Sequence, residues 1–124
     1  MGLFVAPQHA EHLHHGGTRA MSRLPFVSFS KLARPYSELV TYLAELGIDD
    51  PKIHCASTLM TIARMSIDGV GIGSLPVSTV ADACQRGELL RLELRHRLLR
   101  PRGPVHVLVL VRGPLPHPVV PREP

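Results

Sequence analysis

Short apolar runs and longer amphipathic stretches alternate along this chain, and their periods predict its elements. Leu3-Phe4-Val5-Ala6 is an apolar run closed by Pro7, which predicts a strand leaving a sheet. Residues 8–24 show no clear period and are rich in His and Gly, so they read as a polar loop. Pro25-Phe26-Val27-Ser28-Phe29 alternates and predicts a second strand. From Ser37 to Leu46 the period changes. Leu39, Val40, Leu43 and Leu46 recur at helical spacing, and Gly47 stops the helix. Lys52–Ala56 is a short strand. Ser57 is then a natural cap for a helix whose stripe is Leu59, Ile62, Ala63 and Ile67, with Gly69 at its end.

Val70–Leu75 predicts another strand, closed by Pro76, and its Gly71 and Gly73 leave room for a backbone or a ligand to approach. Val77–Arg86 reads as a short helix before Gly87, Leu89–Leu94 alternates, and Val105–Val111 is a β-branched strand. The proline-rich residues 113–124 show no period and are expected to be loose or extended. Strand and helix in turn predict an α/β unit with a largely parallel sheet. Residues 25–94 look like a complete lobe. The apolar strands at 3–6 and 105–111 have little left to cover them, so they read as connections to a further body.

In such sheets ligands bind at the carboxyl ends of the strands. Three junctions should share that edge: Ser28-Phe29-Ser30, Ala56-Ser57-Thr58 and Ser74-Leu75-Pro76. A helix N-terminus beside small hydroxyl residues favours a carboxylate or phosphate. No general base, metal cluster or phosphate-cradling glycine loop accompanies them, so the edge is suited to bind a small anion and not to transform it. From the pattern alone, a helix cap and nothing more is the simpler reading of Ser57.

Composition narrows the classes further. At 124 residues, with 44% hydrophobic and 19% charged residues, the chain suits one small globular domain or a piece of a larger one. Aromatic residues are only 4%, too few for a single-strand stacking platform. No run approaches a membrane span and the N-terminus is not a signal peptide, so the cytoplasm is expected. Residues 1–85 balance at −1 and residues 86–124 at +5, but the arginines are scattered among prolines and form no nucleic-acid patch. Cys55 and Cys84 fit no zinc or redox spacing and read as reduced. His9, Glu11, His12, His14 and His15 crowd one segment, but solvated histidines explain them better than zinc, and no metal or cofactor is expected. A helix N-terminus could activate Cys55. His54 points to the opposite strand face, however, and a buried structural thiol is the simpler reading. Met60 and Met65 read as packing side chains.

The stretch from Ser57 to Pro76, with Gly71-Ile72-Gly73-Ser74-Leu75-Pro76 at its end, resembles the second half of the effector-binding domain of LysR-type transcriptional regulators. Gly87-Glu88-Leu89-Leu90-Arg91-Leu92 resembles the continuation. Leu3–His9, Pro25–Ser30 and Val107–Arg112 match in order and spacing, so the resemblance covers roughly residues 2–112. It implies a Rossmann-like lobe of the type 2 periplasmic-binding-protein class. The second lobe would span about 8–94, with crossover strands at 2–7 and 104–112. It also implies a small-molecule effector held from this side by Ser28, Ser30, Ser57 and Thr58, with Gly71 giving it room.

Nothing here matches the family's helix-turn-helix, its linker helix or its first effector lobe. The expectation is therefore a partial, non-catalytic sensing domain. DNA would be reached only through a domain outside this chain, and the intact regulator would be a homo-oligomer. Two other readings stand beside it: a solute-binding lobe of a transport system, and a small thiol- or metal-dependent enzyme.

Overall fold

The computed structural model describes residues 2–98 and 105–112. Strand β1 (Gly2–Val5) leads through helix α1 (Ala10–Ser22) to β2 (Phe26–Ser28), α2 (Arg34–Glu45) and β3 (Ile53–Cys55). Helix α3 (Leu59–Ile67), β4 (Ile72–Leu75), α4 (Ala81–Gln85), β5 (Leu90–Leu98) and β6 (Val105–Arg112) follow. Among the described residues the strands form one open sheet of six in the order β3-β2-β4-β1-β5-β6.

The sheet is mixed, where strand–helix alternation predicted a largely parallel one. β2 runs parallel to β3 and to β4, with Ser28 opposite Cys55 and Val27 opposite Gly73. β1 lies antiparallel between β4 and β5, and β5 pairs antiparallel with β6. A helical crossover forces its two strands to run parallel. β1 instead meets neighbours some 70 to 90 residues along the chain, so no local pattern encoded its direction.

Strand alternation sends successive side chains to opposite faces and splits the core in two. Phe26 and Ile72 pack with Leu39 and Leu43 of α2 on one face. Val27 and Leu75 pack with Ile62 of α3 and Ala83 of α4 on the other. Full burial of each such side chain contributes roughly 2 kcal/mol. β3 and β4 flank β2 on opposite sides, and this is why α2 and α3 cover opposite faces.

The loop expected over 8–24 and the bare faces expected of the end strands are corrected together. Residues 10–22 form a helix and not a loop, kinked at Gly17 (φ 61°, ψ −144°). Its buried positions, Leu13, Ala20 and Met21, keep helical spacing, which the histidines and paired glycines between them obscured. This helix covers the strands that the sequence left bare. Leu13, Ala20 and Met21 share a cluster with Val5, Leu92 and Val109, and Phe4 is buried on the opposite face. β1 is an interior strand of this domain, covered by its own helices. The single helix expected over 77–86 is a 3-10 turn at Val77–Thr79 followed by α4.

Candidate binding site

The parallel register of β2, β3 and β4 brings their carboxyl ends to one edge of the sheet. The backbone N–H of Ala56 donates to the Ser28 carbonyl at 2.9 Å, which holds the ends of β2 and β3 level. The connections leaving this edge carry Ser30, Ser57 and Thr58, all exposed.

Thr58 is the cap of α3. It is extended (φ −135°, ψ 152°), and its Oγ1 accepts the N–H of Thr61 at 3.1 Å. Its own hydroxyl donates to Thr61 Oγ1 at 2.9 Å. The cap expected at Ser57 therefore falls one residue later, because the chain turns into the helix only after Thr58. The Ser57 hydroxyl has no hydrogen bond among the described residues and faces solvent. Ser30 Oγ accepts the Leu32 N–H at 3.3 Å.

Ser28 differs from the other three. It is fully buried, and its Oγ has no partner among the described residues. By strand alternation it shares the α2 face with Phe26. Ser74, also buried, lies on that face of β4.

No acidic residue occupies the first turn of α2 or α3, and Lys31 is exposed in the connection between β2 and α2. The partial positive charge of the α3 N-terminus is thus left unneutralised by its own first turn. The same edge carries apolar side chains in solvent. Leu32 is 98% exposed and Met60 78%, and Val77, just past β4, is also exposed. Met60 therefore does not pack in the core, whereas Met65 does.

Gly71 does not join this group. It precedes β4 at the opposite edge, where the Ile72 N–H donates to the Pro25 carbonyl at 2.9 Å. A Cβ on Gly71 would run into that carbonyl, so close backbone packing explains the glycine and ligand access does not. Gly73 similarly seats Ser66 of α3, whose hydroxyl donates to the Ile62 carbonyl at 2.8 Å.

One feature escaped the sequence reading: a cavity of about 690 Å³ at the hydroxyl-bearing edge, between α2, the start of β1 and the carboxyl end of β4, where Ser74 lines it. Its walls come from residues far apart in sequence, Leu3, Leu39 and Leu92 among them. The legible trace was the alternation of Arg91 and Glu93 with leucines along β5.

Cys55 is exposed at the end of the edge strand β3, not buried as expected, because no element covers that side of a terminal strand. Cys84 is half-buried. Burial pushes its thiol pKa up, and Arg91 partly offsets the rise. His12, His14 and His15 are exposed along α1, while His9 Nε2 bonds to the Gly69 carbonyl at 2.9 Å. Among the described residues no three His, Cys, Asp or Glu side chains gather as a metal site would require. Among them, too, no helix is long and apolar enough to cross a membrane.

An open, mixed α/β sheet whose parallel carboxyl edge carries hydroxyls and a helix N-terminus is one lobe of the type 2 periplasmic-binding-protein-like fold. The family model described as LysR substrate binding domain matches residues 1–120, and the chain belongs to that family. A solved structure of the C-terminal domains of a LysR family protein from Agrobacterium tumefaciens str. C58 shares the fold, with a TM-score of 0.57 at 21% identity. That match covers 92% of this chain and 53% of the other, so the chain spans about half of that protein's solved length. Comparison with curated proteins finds no match.

Proposed function

We propose that this chain is the ligand-sensing lobe of a LysR-type transcriptional regulator, binding a small anionic effector without transforming it. The observation that carries the reading is the gathering of exposed Ser30, Ser57 and Thr58 at one strand edge in a chain of this family. The α3 N-terminus and Lys31 supply the positive potential there, and Leu32, Met60 and Val77 supply apolar surface for an opposing wall. Ser28, directly behind them, offers a hydroxyl that a shift of the β2–α2 connection would free for a ligand.

In this reading residues 8–94 form one wall of a cleft, and the strands near 2–7 and 104–112 cross to a companion lobe. The sheet register supports it. β5 pairs with β1 only over Leu90–Leu92, and its later residues pair with β6 alone, so the hairpin runs on past the sheet. DNA is contacted by a separate domain of the regulator, which works in the cytoplasm as a homo-oligomer.

Calorimetric titration with acetate, succinate and inorganic phosphate tests the edge. At least one should bind, and Ser57→Ala/Thr58→Ala together should weaken it by about tenfold, the loss of one or two charge-assisted hydrogen bonds. Equal affinity in the double variant would move the effector elsewhere.

A further inference from the structure

Resting on the effector reading above, we infer that the effector is a carboxylate with a hydroxyl-bearing hydrocarbon body. The carboxylate stays at the exposed edge, the body fills the cavity behind it, and Tyr42 and Ser74 read the hydroxyl.

The sheet register builds the cavity's floor. Leu3 stands opposite Ser74 on one side and Leu92 on the other, so the three share the α2 face. Ser28, one step beyond the Val27–Gly73 pair, comes beside Ser74 on the same face. A row therefore crosses four neighbouring strands at this edge, in the order Ser28, Ser74, Leu3, Leu92. One half of it is hydroxyl and the other hydrocarbon. Leu39 and Tyr42 of α2 close the space from above.

Charge is kept out of the interior. Arg91 and Glu93 flank Leu92 on its strand and so turn to the other face, and Arg112 stands opposite Arg91. Glu38 is exposed and paired with Arg34 at 3.2 Å. At about 690 Å³ the space falls within the roughly 300–1,000 Å³ of small-molecule sites, far more than a bare anion fills. An uncharged body suits it.

Tyr42 supplies the specific contact. Its phenol is half-buried and makes no hydrogen bond among the described residues. Burial, then Glu45, raises its pKa, so it keeps its proton and can donate. Ser74 lies on the facing wall, and a serine oxygen can accept. A ligand hydroxyl satisfies both, accepting from Tyr42 and donating to Ser74, whereas a carbonyl satisfies one and a methylene neither.

The probes are hexanoate and octanoate, their ω-hydroxy analogues, and acetate as the head group alone. Each is titrated into the ¹⁵N-labelled protein and followed by amide shifts. Saturable shifts are expected at Leu3, Leu39 and Leu92, with affinity rising about fourfold for each methylene that enters the cavity. At least one hydroxy acid should bind about fivefold tighter than its plain parent, the worth of one hydrogen bond. Tyr42→Phe should erase that preference yet keep the chain-length gain and the melting curve, since the phenol oxygen holds nothing in the fold. No preference for the hydroxyl in the unaltered protein, or the same preference in Tyr42→Phe, would overturn the inference. So would affinity that does not grow from acetate to octanoate, and acetate still bound in that case would leave the edge reading intact. Equal affinity of Ser57→Ala/Thr58→Ala for the long acids, with the Tyr42 preference kept, would support the cavity contact and overturn the edge reading instead.

Discussion

His9 Nε2 lies 2.9 Å from the carbonyl oxygen of Gly69, joining the turn before α1 to the turn that ends α3 across 60 residues of chain. The carbonyl only accepts, so Nε2 carries the proton. The bond ties two helices that cover opposite faces of the sheet. His9→Phe keeps the ring and loses the donor, and should lower stability by about 1 kcal/mol in urea unfolding. An unchanged midpoint would show that the contact carries no stability.

A buried hydroxyl without a partner costs free energy in the folded state. Removing the one on Ser28 should therefore help: Ser28→Ala is expected to raise stability by about 1 kcal/mol, seen as a higher melting temperature. A lower melting temperature would mean that the hydroxyl is engaged in solution.

Gly71→Val pushes three carbons against the Pro25 carbonyl, a backbone group that cannot turn aside. A loss of about 3 kcal/mol is expected, at the upper end of overpacking costs, with Ser74→Ala costing less. Denaturant titration of both variants decides it. Equal and negligible effects would contradict the packing described here.

The cap and its neighbour should separate two effects that sequence pattern could not. Thr58→Ala loses the bond from the Thr61 N–H and should cost about 1 kcal/mol of stability. Ser57→Ala should leave the melting temperature unchanged and weaken anion binding alone. Thermal unfolding beside phosphate titration reads both.

The two thiols should differ in rate. Exposed Cys55 should react first with iodoacetamide at mildly alkaline pH, and Cys84 later, because burial holds it protonated to higher pH. The linkage has a definite sign. A thiol pKa raised by folding favours the folded state below the ordinary thiol value, and that advantage is lost as pH rises through the raised one. Burial, then Glu45, raises the Tyr42 phenol in the same sense. Stability should fall through the alkaline range, and the fall should shrink in Cys84→Ala. Equal pH profiles for the two proteins would contradict this.

The succession from β2 to β4 was legible because each element there carries its own period and its own stop, such as Gly47 and Gly69, both at positive φ. The same local logic put Ser28, Ser30, Ser57 and Thr58 at one edge, since parallel strands joined by crossovers must end together. What depends on distant neighbours was not legible. Gly71 was grouped with a ligand because its real contact, the Pro25 carbonyl, belongs to another strand. Helix α1 was missed because three exposed histidines and two glycines outweighed the spacing of Leu13, Ala20 and Met21. The cavity needs α2, β1 and β5 at once, and no stretch of sequence contains all three.

The interior position of β1 also governs when this molecule can fold. Its residues are made some 70 to 90 positions before their partners Ser74 and Leu92. Until then Phe4 and Val5 remain exposed, and closing so long a loop makes assembly slow by the usual dependence of rate on contact separation. A growing chain must therefore shelter this greasy strand until those later partners emerge.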